Sequence, residues 1–307
     1  MNVTMHEIDS QPALWRRALA EPGLAESARD LLAADGERVL AIGCGTSWFV
    51  AQSYAVLRER SGFGETDAVC ASEFISTRHY DRVIAFTRSG TTTEVLDALA
   101  ATPTGTRRVA VTAVDASTLD GYCDDALVVS FADEQSVVQT RFPTTVLALI
   151  RATFGDDAAG LPAAAQRALD GPLPAEPGDV DHVVFLGTGW TVGLAHEAAL
   201  KVREAAQAWS ESYPAMDFRH GPMAVAGPRS LVWVLGELPA GMTDTVAATG
   251  ARLHHDELDP LAGLVLAQRF ATALAAHRGL DPDQPRLLTR SVILSRPHDA
   301  RDIAPVG

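Results

Sequence analysis

The sequence predicts an α/β fold made of two similar units in tandem, each a parallel sheet flanked by helices on both faces. Three observations predict it. Residues 39–49 (VLAIGCGTSWF) and 183–193 (VVFLGTGWTVG) repeat one pattern: an apolar run, Gly-x-Gly, small or hydroxyl residues, then a helical segment. A short apolar run ending in Gly-x-Gly is how a buried parallel strand hands over to a helix. Apolar runs and helical stretches then alternate along the first half, the βαβα order of a sheet covered on both sides. Finally, DGPLPAEPGDVD at 170–181 carries three prolines and two glycines and reads as a linker. It divides the chain into a unit of residues 1–172, opened by an N-terminal helix, and a unit of residues 173–307 that ends in a tail.

In chain order, residues 11–34 read as helix because Trp15, Leu19, Leu24 and Leu31 recur at helical spacing among charges. Strand-like runs follow at Val39–Ile42, Val83–Thr87, Val109–Ala113 and Ala126–Phe131. Helical stretches lie between and after them at Phe49–Glu59, Thr92–Ala101 and Thr144–Phe154. The second unit begins at Val183, continues through a helix at Leu194–Trp209 and a strand at Ser230–Leu235, and ends with a long helix at Asp259–Arg278. The apolar stretch Leu261–Ala276 is interrupted by Gln268 and Arg269, which marks a core helix rather than a membrane span.

Composition removes whole classes of function. A net charge of −14 without any Lys/Arg cluster disfavours nucleic-acid binding, yet leaves room for a phosphorylated metabolite in a local nest of hydroxyls and backbone N–H groups. Cys44, Cys70 and Cys123 are odd in number and lack metal-ligand spacing, as expected of a reduced, cytosolic protein. Cys44 sits in a glycine turn with no basic residue adjacent in sequence, so a small turn residue is favoured over a nucleophile there. The N-terminus shows no signal-peptide pattern.

Two segments carry candidate chemistry. After the strand VIAFT come Arg88, Ser89, Gly90 and Thr91–Thr93, so four hydroxyls and a glycine stand at a helix N-terminus. Free N–H groups, the helix dipole and hydroxyl donors together suit a phosphate. One cap needs one hydroxyl, and Thr46 and Ser47 in the first glycine turn can converge on the same point. A dinucleotide site is the rival; neither Gly-x-Gly has the third glycine that it requires. The second segment is LAHEAALKVREAAQAW, residues 194–209, in which Glu197, Lys201 and Glu204 project from one narrow helix face. That face is either a solvated stripe of i,i+4 pairs or a site wall. His220 precedes a Gly-Pro break, where a histidine paired with a helix carboxylate can transfer protons. His254, His255, Asp256 and Glu257 point in successive directions and read as a solvated turn, and no metal site is expected.

Taken together, GCGTSW, ASEF at 71–74, TRSGTTTEVLDAL, the segment EAALKVREAAQAWSESYPAMDFRHGPMA at 197–224 and DQPRLLTRSV at 283–292 resemble the sugar isomerase (SIS) family. The nearest pattern is the isomerase half of glucosamine-6-phosphate synthase and its stand-alone relatives. The resemblance implies two tandem SIS domains and a phosphorylated amino sugar as substrate, with no cofactor. It implies that Thr46, Ser47, Thr87, Ser89 and Thr92 hold the 6-phosphate, with Arg88 beside them where the family usually has glutamine. Glu204 matches the glutamate that moves a proton between C1 and C2, Lys201 a neighbouring site lysine, and Glu197 a companion carboxylate. His220 matches a histidine that assists ring opening from the other subunit, which implies a homodimer.

Two departures stand out. No glutaminase domain precedes the SIS-type start, so glutamine-dependent amidotransfer is not expected. Arg290 stands where the synthase carries its Schiff-base lysine, and arginine forms no imine at neutral pH. The expected outcome is therefore C2 deprotonation followed by isomerisation or deamination. Elimination of the 3-hydroxyl by a dehydratase is the alternative, and a non-catalytic sugar-phosphate sensor is the alternative of a different class.

Overall fold

A computed structural model describes residues 2–294. Two parallel sheets form its frame. The first has the order β2-β1-β3-β4-β5, with β1 at Val39–Gly43, β2 at Thr66–Cys70, β3 at Arg82–Phe86, β4 at Arg107–Thr112 and β5 at Asp125–Val128. The second has the order β7-β6-β8-β9, with β6 at His182–Gly187, β7 at Trp209–Pro214, β8 at Ser230–Leu235 and β9 at Arg252–His254. All pairings are parallel. Each first strand has its successor on one side and the next strand on the other, so the chain reverses direction between β1 and β3 and again between β6 and β8. Ligands of open α/β sheets bind beyond the carboxyl ends of the strands at such reversals.

Alternation within the strands explains why both faces are covered. Val39, Ala41, Ile84, Phe86, Val109 and Val111 enter one apolar cluster, while Leu40, Ile42, Val83 and Ala85 enter another on the opposite face. In the second sheet Val183, Phe185, Leu231 and Trp233 join the first of these clusters, and Val184, Leu186, Val232 and Val234 form a third. One core therefore runs between the sheets and belongs to both halves of the chain.

That shared core is built by α4 (Thr46–Arg60), α6 (Arg141–Thr153), α8 (Thr191–Ala206) and α10 (Pro260–His277) together with the N-terminal helices α1 (Val3–Asp9), α2 (Gln11–Ala20) and α3 (Pro22–Ala28). The repeated glycine turns lead into α4 and α8, directly after Gly45 in the first and, with Trp190 between, after Gly189 in the second. Gly45 and Gly189 have φ of 54° and 58°, a left-handed backbone costly for other residues. At Gly43 and Gly187 a Cβ would lie 2.5 Å from the Ser47 carbonyl carbon and 2.2 Å from the Thr191 carbonyl oxygen. Only glycine lets the first helical turn fold back over the strand end. The helices α4 and α8 then pack against each other, with Gly193 so close that a Cβ would meet Ser53 Oγ at 2.3 Å. Ser53 Oγ also donates to the Trp190 carbonyl at 2.9 Å. Two helix starts from two sheets are thereby held side by side.

Several sequence expectations need correction. Residues 11–34 are not one helix: Pro22 forces extended backbone on Glu21 (φ −87°, ψ 101°), and a π-helical turn fills Arg29–Ala33. The helix expected at 194–209 stops at Ala206, where Gln207 turns left-handed (φ 48°), and Trp209 instead opens β7. The strand expected at 126–131 ends at Val128. The linker is partly structured, because α7 (Leu161–Asp170) runs to its first residue and a 3₁₀ turn covers Pro177–Asp179. His254 closes β9 edge-on to Trp233 and pairs with Asp256 at 2.9 Å, so the 254–257 segment is no free turn. Among the described residues no cluster is suited to hold a metal ion, and no helix is long and apolar enough to cross a membrane.

Candidate active site

The carboxyl ends of β1 and β3, at the first chain reversal, deliver the hydroxyl-rich turns to one place. Ser47, Thr87, Arg88, Ser89 and Thr92 line a cavity of about 30 Å³ together with Cys44, Gln139 and Arg290. Thr92 is the N-cap residue of α5 (Thr93–Ala100), yet its side chain makes no capping hydrogen bond. The hydroxyls are turned to one another and to the C-terminal segment instead. Ser89 Oγ, Thr91 Oγ1 and Thr92 Oγ1 lie 3.1, 3.0 and 3.3 Å from Ser291 Oγ. Thr87 Oγ1 accepts the Gly90 N–H at 3.2 Å and so shapes the turn.

The second cluster comes from α8. Glu197 and Lys201 are 2 % and 1 % exposed, and Lys201 Nζ lies 3.2 Å from Glu197 Oε1 and 2.6 Å from Glu204 Oε2. The solvated-stripe reading of this face is therefore excluded. Lys201 Nζ also donates to Thr46 Oγ1 at 3.2 Å, across the α4–α8 contact. Thr46 precedes Ser47, which lines the hydroxyl cavity, so this bond sets the charged face of α8 beside that cavity. Glu204 is the carboxylate with access: its side chain is 19 % exposed, against 3 % for Glu197.

Burial decides the charge states. The Glu197 carboxyl is raised to about 7, chiefly because it is desolvated; Lys201 opposes the shift and Glu204 adds to it. Neither Glu197 oxygen accepts a hydrogen bond in good geometry, so the anion is poorly stabilised. For Lys201 burial is the largest single effect and acts downward, but the two carboxylates outweigh it and the ammonium is held above its ordinary range. The Cys44 thiol is pushed up to about 12 by burial, then by Cys70 and Glu94, so it supplies no thiolate.

A pH dependence of stability follows. A carboxyl whose pKa is raised on folding, here from an ordinary 4.5 to about 7, binds its proton more tightly in the native state. Its contribution is fully present below pH 4.5 and is lost as pH rises through 7, by about 3 kcal/mol at pH 8. Urea unfolding from pH 4.5 to 8 is expected to show this loss in the parent protein and a correspondingly flatter profile in Glu197→Gln. Parallel profiles would contradict the assignment.

The remaining expected residues fall as follows. Arg88 is 2 % exposed and faces Glu134, with Nη1–Oε2 at 3.2 Å. Arg290 reaches the cavity but pairs with Asp133 and donates from Nε to the Glu134 carbonyl at 3.2 Å. His220 stands exposed on a 3₁₀ turn (Asp217–His220) beyond β7 and has no hydrogen-bonding partner among the described residues. The structure thus joins Thr46, Lys201, Glu197 and Glu204, and separately gathers Ser47, Thr87, Arg88, Ser89, Thr92 and Arg290 at the cavity, leaving His220 outside. Sequence reasoning missed Glu134, Gln139 and Ser291. Gln139 Oε1 is buried without a partner at the cavity wall. Glu134 sits beside Asp133 in the irregular stretch 130–140, and no local pattern marks it as a site residue.

No family model matches the chain. Among curated proteins it is 26% identical over 296 residues to a glutamine–fructose-6-phosphate aminotransferase [isomerizing] of Sulfurisphaera tokodaii, covering 84% of the chain and 50% of the relative. A protein of the same name from Methanothermobacter thermautotrophicus is 27% identical over 341 residues, covering 94% and 57%. The chain thus spans about half the length of these relatives. Among solved structures, a glucosamine-6-phosphate deaminase of Thermotoga maritima superposes with a TM-score of 0.77 at 25% identity, covering 95% of this chain and all of that one. A tagatose-6-phosphate ketose/aldose isomerase of Escherichia coli shares the fold, with a TM-score of 0.74 at 22% identity over 97% of each chain. With the isomerase domains of these aminotransferases as its homologues and phosphosugar isomerases as its structural neighbours, the chain resembles the sugar isomerase (SIS) family, as its motifs predict.

Proposed function

We propose that the protein is an enzyme acting on an amino-sugar 6-phosphate of the glucosamine type, with two SIS units, residues 1–172 and 173–307, joined around one site. The single observation that carries the reading is the Lys201 ammonium, which touches Glu204 on one side and, on the other, Thr46, the chain neighbour of Ser47 in the hydroxyl cavity. A sugar anchored by its phosphate among Ser47, Ser89 and Thr92 extends from there toward Glu204. In the open-chain aldose the C2 proton is acidified by the neighbouring carbonyl, whose oxygen accepts the charge as an enolate with the amine nitrogen on C2. The Glu204 carboxylate takes that proton, and Lys201 supplies a positive charge near the developing oxyanion. Return of the proton to C1 gives the ketose; where C2 carries a free amine, tautomerisation to the ketimine and addition of water release ammonia.

Isomerisation with deamination is the reading favoured here. The deaminase of T. maritima, matched along its whole length, supports it. Expulsion of the 3-hydroxyl from an N-acetylated substrate starts from the same deprotonation. A homodimer in the cytoplasm, with His220 assisting ring opening in the partner's site, fits the exposure of that residue and its lack of a hydrogen-bonding partner among the described residues. The test is product analysis by NMR with glucosamine 6-phosphate and N-acetylglucosamine 6-phosphate. Ketose and ammonia from the first are expected; an unsaturated sugar from the second would select the dehydratase, and binding of both without turnover the sensor.

A further inference from the structure

Three charged groups near the cavity are not used by the proton-transfer chemistry: Arg88, Glu134 and Arg290. Arg88 and Glu134 are each 2 % exposed, a full ion pair taken out of water. Such a pair is costly to bury unless every group is well partnered. Glu134 is: its Oε1 accepts the backbone N–H of Thr140 at 2.7 Å and of Phe142 at 2.9 Å, at the start of α6, and its Oε2 faces Arg88. Arg88 is not. Its Nη1 donates to Glu134 and to the Ser136 carbonyl at 3.0 Å, and its Nη2 to the Arg290 carbonyl at 2.6 Å, but its Nε is buried without a partner, on a side chain that lines the cavity. An unsatisfied buried guanidinium donor beside Ser47, Ser89 and Thr92 is a place for an anion's oxygen.

The same group reaches the C-terminal segment twice. Arg88 Nη2 holds the main chain at Arg290, and the Glu134 carbonyl receives Arg290 Nε. Val292 and Leu294 then bond to Thr93, at the first turn of α5, through its N–H and its hydroxyl. Glu134 is itself braced from outside the sheet. The segment after it is gripped by Glu7 of α1, which accepts the Gln135 N–H at 2.6 Å, and Gln268 of α10 donates to the Thr140 carbonyl at 3.2 Å.

We propose that Glu134 is a positioning residue that sets two arginines, Arg88 inside the hydroxyl pocket and Arg290 at its mouth, so that a bound phosphate monoester and the 289–294 segment hold each other in place. The proposal rests on the phosphate reading of the pocket. It departs from the family pattern at the two positions where this chain does, since arginine replaces glutamine at 88 and lysine at 290. A cavity of about 30 Å³ admits two or three waters, each needing roughly 10–15 Å³, so a phosphate displaces the Ser291 hydroxyl while the two arginine anchors persist.

The test is amide hydrogen exchange at Leu294 and its neighbours, without ligand and with inorganic phosphate, in the parent protein, Glu134→Gln and Arg88→Gln. Glutamine at 134 keeps an oxygen for the Thr140 and Phe142 N–H groups, and Arg88→Gln probes the same link from its other end should the first variant fail to fold. Exchange within β8 monitors the global fold. Without ligand, either variant is expected to exchange at least about tenfold faster in 289–294 with β8 unchanged; equal exchange overturns the positioning role. Phosphate is expected to protect 289–294 in the parent and not in Arg88→Gln. Faster exchange on phosphate binding overturns the mutual hold, and failure of phosphate to bind the parent, with the ligand-free contrast intact, overturns the phosphate reading instead. With sugar phosphate as substrate, Glu134→Gln should raise KM at least about tenfold with little change in kcat, and Glu134→Asp should recover part of the loss.

Discussion

Glu204→Gln is expected to lower kcat about a thousandfold, within the 10²–10⁴ range of a positioned general base, and to leave KM within about threefold. Glu204 is the more accessible of the two carboxylates, its side chain 19 % exposed against 3 % for Glu197, so it is the one placed to take a ligand's proton. Its removal also leaves Lys201 paired with Glu197, which keeps the buried charge balanced. The variant should therefore unfold close to the parent in urea and bind inorganic phosphate unchanged, because the hydroxyl pocket lies on α4, α5 and the β3 turn. A fall in kcat below tenfold, with the fold intact, would assign proton transfer elsewhere.

Lys201→Met is expected to have the largest effect on stability, about 3–5 kcal/mol, the usual result of leaving a buried charge without its partner. Lys201 is 1 % exposed and is the cation between two carboxylates. Removing it sets Glu197 against Glu204 and breaks the bond to Thr46 that ties α8 to α4. The loss should be larger at pH 8 than at pH 5. Glu197 titrates near 7, so at pH 5 it is neutral in both proteins and only the Glu204 pair is lost. Urea unfolding at the two pH values measures the difference. A loss of equal size at both would mean that Glu197 is not the second partner of the lysine.

How much of this was legible beforehand depends on where each residue's partners lie in the chain. The buried central strands announce themselves as apolar runs, and the two glycine turns announce the strand-to-helix handover, because these features are local. The edge strands β2 and β7 do not. Thr66–Cys70 carries Asp67 and is mostly half-buried, and Trp209–Pro214 opens with a tryptophan 70% exposed, so neither has the continuous apolar character of a central strand. The end of α8 was misplaced because Gln207, not glycine, takes the left-handed turn.

The site divides in the same way. Glu197, Lys201 and Glu204 share a helix face by spacing alone, but their burial depends on α4, far away in the chain, which no local pattern reveals. Glu134, Gln139 and Ser291 lie in irregular segments, and the contact of Ser291 with Ser89 spans 202 residues of chain. Such partners become visible only when the topology closes.

The central claim is that a phosphate-anchored amino sugar presents C2 to Glu204, and its most direct measurement is solvent deuterium exchange at that carbon. Purified protein is incubated with glucosamine 6-phosphate in deuterium oxide, and carbon-bound hydrogen is followed by NMR in the parent and in Glu204→Gln. Loss of the C2 proton, or deuterium at C1 of the ketose, is expected in the parent, with about a thousandfold slower exchange in the variant. Exchange at equal rates in both proteins, or sugar phosphate bound in the pocket with its C2 proton retained, would contradict that claim.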